Sequence, residues 1–95
     1  MKIEFDTNKS IKNEYERKLS FSLVTEFEWE TALVTQDLRK NYPEPRYIAS
    51  GFIDGRLHIL CFTPIKDGIR VISFRKANPR EVRNYEAETI NKQKR

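Results

Sequence analysis

Ile3 and Phe5 alternate with Lys2 and Glu4 at the start of the chain, a period of two that predicts a short strand over residues 2–6. Asp6 or Thr7 then offers a side-chain oxygen to the free amides of a first helical turn. Ile11, Tyr15 and Leu19 recur every four residues and predict the buried stripe of that helix. Ser20 caps a second short helix with Phe21, Val24 and Phe27 inward and Glu26 outward. Neither helix is long enough to hold alone in water, so both need a surface to pack on.

From Thr31 the period changes back to two. Residues 31–36 read as a strand, residues 38–45 as a charged, proline-bearing loop, and residues 46–53 as a second strand. Asp54-Gly55 is a two-residue hairpin signal, and residues 56–63 pair back along the preceding strand. Lys66-Asp67-Gly68 turns the chain again into residues 69–75, completing an antiparallel meander. Leu57, Ile59 and Cys61 lie on one face of the middle strand while Leu60 and Phe62 lie on the other. A strand apolar on both faces needs both covered. The first two helices can cover one; the other needs the C-terminal helix or another protein. That last helix opens at Asn78-Pro79-Arg80-Glu81, with Asn78 as cap, Pro79 at the first position and Glu81 closing a capping box. It is expected to run to about Ile90, with Val82, Tyr85 and Thr89 inward, leaving residues 91–95 as a frayed basic tail. The pattern amounts to a single α+β domain over residues 1–90: two N-terminal helices and one C-terminal helix packed on an antiparallel sheet, in the order β-α-α-β-β-β-β-α.

Composition narrows the class. Ninety-five residues with 38% hydrophobic content allow one core, and six Phe, four Tyr and one Trp supply large buried surfaces. Cys61 is alone, so no internal disulfide forms, and its apolar neighbours make it a small core residue rather than a nucleophile. The charged N-terminus does not read as a signal peptide, no run approaches a membrane span, and a cytoplasmic setting follows. The net charge is +4, and its distribution is lopsided. Arg70, Arg75, Lys76, Arg80 and Arg83 against Glu81 give one segment as much net charge as the whole chain. Glu26, Glu28 and Glu30 are the counterweight, read as a solvated helix end.

The order Phe5-Asp6, Lys9, Asn13, Leu19-Ser20-Phe21, Arg46, Gly51, Asp54-Gly55-Arg56, then IRVISFRKANPRE from Ile69 to Glu81 with Tyr85 beyond, resembles the BrnT family over roughly residues 3–86. The resemblance implies a RelE-like ribonuclease fold and a toxin that inhibits translation by cutting RNA. It further implies a ribbon-helix-helix antitoxin of the BrnA type, the complex binding promoter DNA. Phe5 stands where the family often has Trp, Glu16-Arg17-Lys18 where it often has Lys-His-Gly, and Phe74 where it has Ala.

Metal-independent RNA cleavage needs a base for the 2′-hydroxyl, stabilisation of the phosphorane and an acid for the leaving oxygen. His58 is the one histidine, and its apolar strand marks it as structural or surface-facing. No Asp/Glu/His cluster has metal-ligand spacing and no Gly-rich phosphate loop is present, so no cofactor is expected. Guanidinium and ammonium chemistry remains. Lys76 or Glu81 is the candidate base, with Arg70 and Arg75 completing the catalytic set. Arg46, Arg80, Arg83, Tyr85 and Lys9 are candidate RNA contacts. Strand alternation puts Arg70 and Lys76 on one face and Arg75 on the other, so one shared site requires the strand to end or twist at Arg75. Glu81 as a simple cap, Tyr85 as core, and the arginines as a solvated rim are the structural alternatives. The same basic strand and sheet face also suit a non-catalytic nucleic-acid-binding regulator or a protein-interaction module.

Overall fold

The computed structural model describes residues 1–93. Strand β1 spans Lys2–Glu4, helix α1 Thr7–Arg17, a 3₁₀ helix Phe21–Glu26, and strands β2 to β5 Glu28–Gln36, Tyr47–Ile53, Arg56–Ile65 and Gly68–Lys76; helix α2 is Pro79–Gln93. The α+β class holds, with three revisions. The second helix is a six-residue 3₁₀ helix and not an α-helix. The sheet is mixed, because β1 runs parallel to β5 at its edge in the order β1-β5-β4-β3-β2. Glu28 and Glu30 belong to β2 rather than to a helix end. At the far end α2 carries on past Ile90 through Gln93, so part of the expected tail is helical; Lys94 and Arg95 lie outside the described residues.

Helix α1 begins where Asp6 Oδ1 accepts from the amides of Asn8 and Lys9 at 2.8 and 3.2 Å. Of its expected apolar stripe only Leu19, just past the helix end, is buried; Ile11 is 60% and Tyr15 89% exposed. The helix turns a different face inward, carrying Ser10 and Asn13, three residues apart. Asn13 Nδ2 donates to the carbonyls of Leu19 and Phe74, both at 2.9 Å, and Ser10 Oγ accepts from the Phe21 amide at 2.9 Å. Polar clamps on the main chain thus seat α1 beside β5. The helix ends on Lys18 in the left-handed region (φ 59°), where a side chain costs energy and glycine does not. Lys18→Gly is expected to stabilise the fold by about 0.5–1 kcal/mol, read as a raised urea midpoint at unchanged slope.

Leu19, Phe21, Val24 and Phe27 cover one face of the sheet, meeting Ala49, Ile53, Leu60, Phe62, Val71 and Phe74. Asp54 and Gly55 both have positive φ (50° and 76°), as a type I′ hairpin requires. The opposite face is covered in part by the chain itself: α2 lays Tyr85 over Leu57 and Ala77, with Ile59 and Val82 partly enclosed, while Leu33, Ile48 and Ile59 still line an open hollow beside the helix. The capping box forms reciprocally, Glu81 N to Asn78 Oδ1 at 2.8 Å and Asn78 N to Glu81 Oε1 at 2.9 Å.

One irregularity in the β4–β5 pair decides where the cations go. Phe62 pairs with Val71 but Cys61 pairs with Ser73, so Ile72 is an extra residue in β5. A bulge of this kind resets the alternation of a strand. Val71 and Phe74, three apart, therefore both enter the same core. Arg70 and Lys76, expected on one face, fall on opposite faces.

Candidate active site

Lys76 and His58 are directly opposed across β4 and β5. With Arg56 they line an open hollow of about 700 Å³, whose wall is completed by Glu26 and Asp54 and whose apolar floor is Leu23 and Ile53. His58 is only 4% exposed. Its ring stacks on Phe74 with centroids 5.3 Å apart, and Nδ1 lies 2.7 Å from the Arg56 carbonyl. A carbonyl can only accept, so Nδ1 carries the proton and Nε2 of the neutral ring holds a free lone pair. Nε2 has no hydrogen bond among the described residues, and none of their buried side-chain nitrogens and oxygens lacks a partner. His58 is one of the residues lining the hollow. Burial lowers the imidazole below its ordinary pKa, and the cationic Arg56 and Lys76 push the same way against the opposing carbonyl bond. The result is a neutral, oriented base beside an ammonium.

The other expected site residues lie elsewhere. Arg75, on the face of β5 opposite Lys76, is gripped by Glu81 through two bonds of 2.7 and 2.8 Å. That contact raises the guanidinium pKa and lowers that of the carboxyl. Glu81 thus spends its oxygens on Arg75 and on the Asn78 amide, tying β5 to α2. Tyr85 is buried, edge-on to Phe52 at 5.2 Å, and its hydroxyl donates to the Thr31 carbonyl at 2.7 Å; it anchors α2 to β2. Arg70 bonds Glu4 at 3.1 Å and approaches Glu44 at 3.6 Å. With Lys9 and Arg46 it lines a separate hollow of about 280 Å³. Arg46 also rests on the Tyr42 ring, 4.2 Å from its centroid. Arg80 and Arg83 are exposed on the first turns of α2. The proposed cations therefore do not converge on one site: Lys9, Arg46 and Arg70 share a hollow with the carboxylates Asp6 and Glu44, while Lys76 lines another with His58.

By sequence, His58 is set aside as structural or surface-facing, Arg56 is named only within the family resemblance, and Glu26 reads as part of a solvated helix end. The signal available was the hairpin register, which places His58 beside the last residues of β5; the bulge then exchanges Arg75 for Lys76 as its neighbour. Cys61 is buried and its thiol pKa is raised, chiefly by burial, which suits a core residue.

Among the described residues no helix is long and apolar enough to cross a membrane. Neither a curated protein nor a solved structure matches the chain significantly. One family model does, described as the ribonuclease toxin BrnT of a type II toxin–antitoxin system, and it matches residues 5–81. That span holds both strands of the hollow, its 3₁₀ wall and the start of α2. On this match over most of its length, the chain belongs to the BrnT family of ribonuclease toxins.

Proposed function

We propose that this protein cleaves RNA at the His58–Lys76 hollow without a metal ion, and thereby inhibits translation. The observation that carries the reading is that His58, with Nδ1 engaged by the Arg56 carbonyl, lines the same cavity as the Lys76 ammonium. His58 Nε2 takes the proton of the 2′-hydroxyl, and the 2′-oxygen forms a bond to phosphorus. The bond from phosphorus to the 5′-oxygen breaks, and that oxygen takes a proton from Lys76, leaving a 2′,3′-cyclic phosphate. Arg56 grips the non-bridging oxygens as their charge grows. Lys76 thus moves from candidate base to charge stabiliser and acid, because a neutral imidazole accepts a proton without first having to lose one.

The exposed Arg80 and Arg83 hold flanking phosphates, and Lys9, Arg46 and Arg70 supply a more distant contact. The Arg75–Glu81 pair acts by holding β5 and α2 in register. The β-α-3₁₀-β-β-β-β-α order is read as RelE-like. Membership of a type II toxin family supports an antitoxin partner, proposed to be a ribbon-helix-helix protein whose complex with the toxin binds promoter DNA in the cytoplasm.

Induced expression in a bacterial host is expected to arrest growth, and Lys76→Ala to relieve the arrest while its thermal unfolding stays cooperative. Purified protein should release cyclic-phosphate ends from RNA in the presence of a chelator. Salt-sensitive binding that leaves the RNA intact would replace this reading with a non-catalytic regulator. Activity that vanishes with the chelator would remove the metal-independent step.

A further inference from the structure

The cleavage hollow contains carboxylates that the chemistry above does not use. A phosphate site gains nothing from a carboxylate, which repels the backbone it must hold. Glu26 nevertheless lines the cavity with Lys76 and Arg56, and none of the ion pairs within 4 Å among the described residues involves Glu26, Arg56 or Lys76. Its charge is not consumed by its cationic neighbours.

The local geometry says what it faces. Glu26 closes the 3₁₀ helix Phe21–Glu26, in which residues three apart eclipse one another. Leu23 and Glu26 therefore stand in register on one side of that turn, and both line the hollow. An apolar side chain beside an acceptor pair suits a nucleobase, with the flat ring on Leu23 and its edge toward the carboxylate. Unpaired bases in single-stranded RNA offer their Watson–Crick edges for such reading. Only guanine presents two adjacent donors there, N1–H and the N2 amino group, matching the two oxygens of a carboxylate. Adenine and cytosine set an acceptor beside a single amino group, and uracil flanks its N3–H with acceptors. Asp54 is a poorer reader: it sits in the hairpin turn with a left-handed backbone, without an apolar companion at eclipsed spacing.

We infer that Glu26, with Leu23 as its stacking neighbour, makes this hollow selective for guanine in single-stranded RNA. The inference rests on the hollow being the RNA site proposed above, and its test separates the two claims. Uncleavable 2′-O-methyl tetranucleotides are titrated into wild-type protein and into Glu26→Gln, with guanine, inosine or adenine placed at each position in turn. At one position guanine should bind about tenfold or more tighter than adenine, with inosine, which lacks the N2 amino group, in between. In Glu26→Gln, whose amide keeps one acceptor and adds a donor, that ratio should collapse toward one. Equal affinities in wild type overturn the inference, as does an unchanged ratio in the variant or a uniform loss for every base. Cleavage of unmodified RNA is scored separately. Cutting without base preference sinks the guanine assignment and spares the nuclease; a guanine preference in binding without any cutting does the reverse.

Discussion

Replacing His58 by asparagine is expected to slow RNA cleavage by about a hundred- to ten-thousand-fold while leaving the fold intact. The choice of asparagine matters because the histidine is buried and its Nδ1 bonds the Arg56 carbonyl. An amide nitrogen can keep that donor, whereas alanine would open a void over Phe74. What asparagine removes is the acceptor lone pair of Nε2. Single-turnover rates on a short RNA, with circular dichroism to verify the fold, provide the check. A variant cutting within about threefold of wild type would deprive His58 of its role, since a general base typically contributes about a hundredfold or more. The pH dependence carries a second signature. Burial holds the imidazole below its ordinary 6.5, so the base stays neutral, and the rate flat, down to pH values under 6.5 before the acid limb begins. Stability follows the same sign. The unfolded chain takes up the proton first as pH falls, so the contribution of His58 is complete above 6.5 and is lost on going down through its lowered folded value.

Phe74→Ala is expected to cost about 3–5 kcal/mol, a large part of what a domain of this size possesses. Phe74 is among the largest fully buried side chains, 1% exposed. Its ring lies against His58, and its carbonyl accepts from Asn13. Truncation removes the floor under the imidazole and leaves a cavity between the sheet and the segment from Leu19 to Phe27. Urea unfolding followed by tryptophan fluorescence at Trp29 measures the loss. A cost under about 1 kcal/mol would mean that Phe74 is not a packed core residue, and the oriented imidazole would lose its support. The aromatic ring here fills the core; it does not narrow the mouth of the hollow.

Much of the framework was legible because local chemistry dictated it. Asp54-Gly55 has no better use than a type I′ turn, and Asn78-Pro79-Arg80-Glu81 has none better than a helix start, so β3, β4 and α2 fell where expected. Periodicity failed on α1, where Ile11 and Tyr15 mimic a buried stripe. The real docking face is polar, because Ser10 and Asn13 have main-chain partners that no spacing rule reveals. β1 was readable as a strand but not as a parallel partner of β5, a long-range choice. The pairing of Lys76 with His58 was missed for a similar reason. Without the extra residue at Ile72, the Lys66-Asp67 turn would set His58 opposite Arg75; with it, the neighbour is Lys76. Nothing in the local sequence announces that bulge. Charge counting grouped Arg70, Arg75, Lys76 and Glu81 because they are close in sequence, while the fold distributes them over two faces.

The claim on which the rest depends is that the scissile phosphate sits between the two opposed side chains of β4 and β5. A crystal structure with a short RNA carrying a 2′-deoxy sugar at the cleavage position locates that phosphate. We expect it within hydrogen-bonding reach of His58 Nε2, Lys76 Nζ and the Arg56 guanidinium. A phosphate held instead by Arg75 and Arg80 at the start of α2, or by Lys9, Arg46 and Arg70, with the His58 hollow empty, would contradict the account.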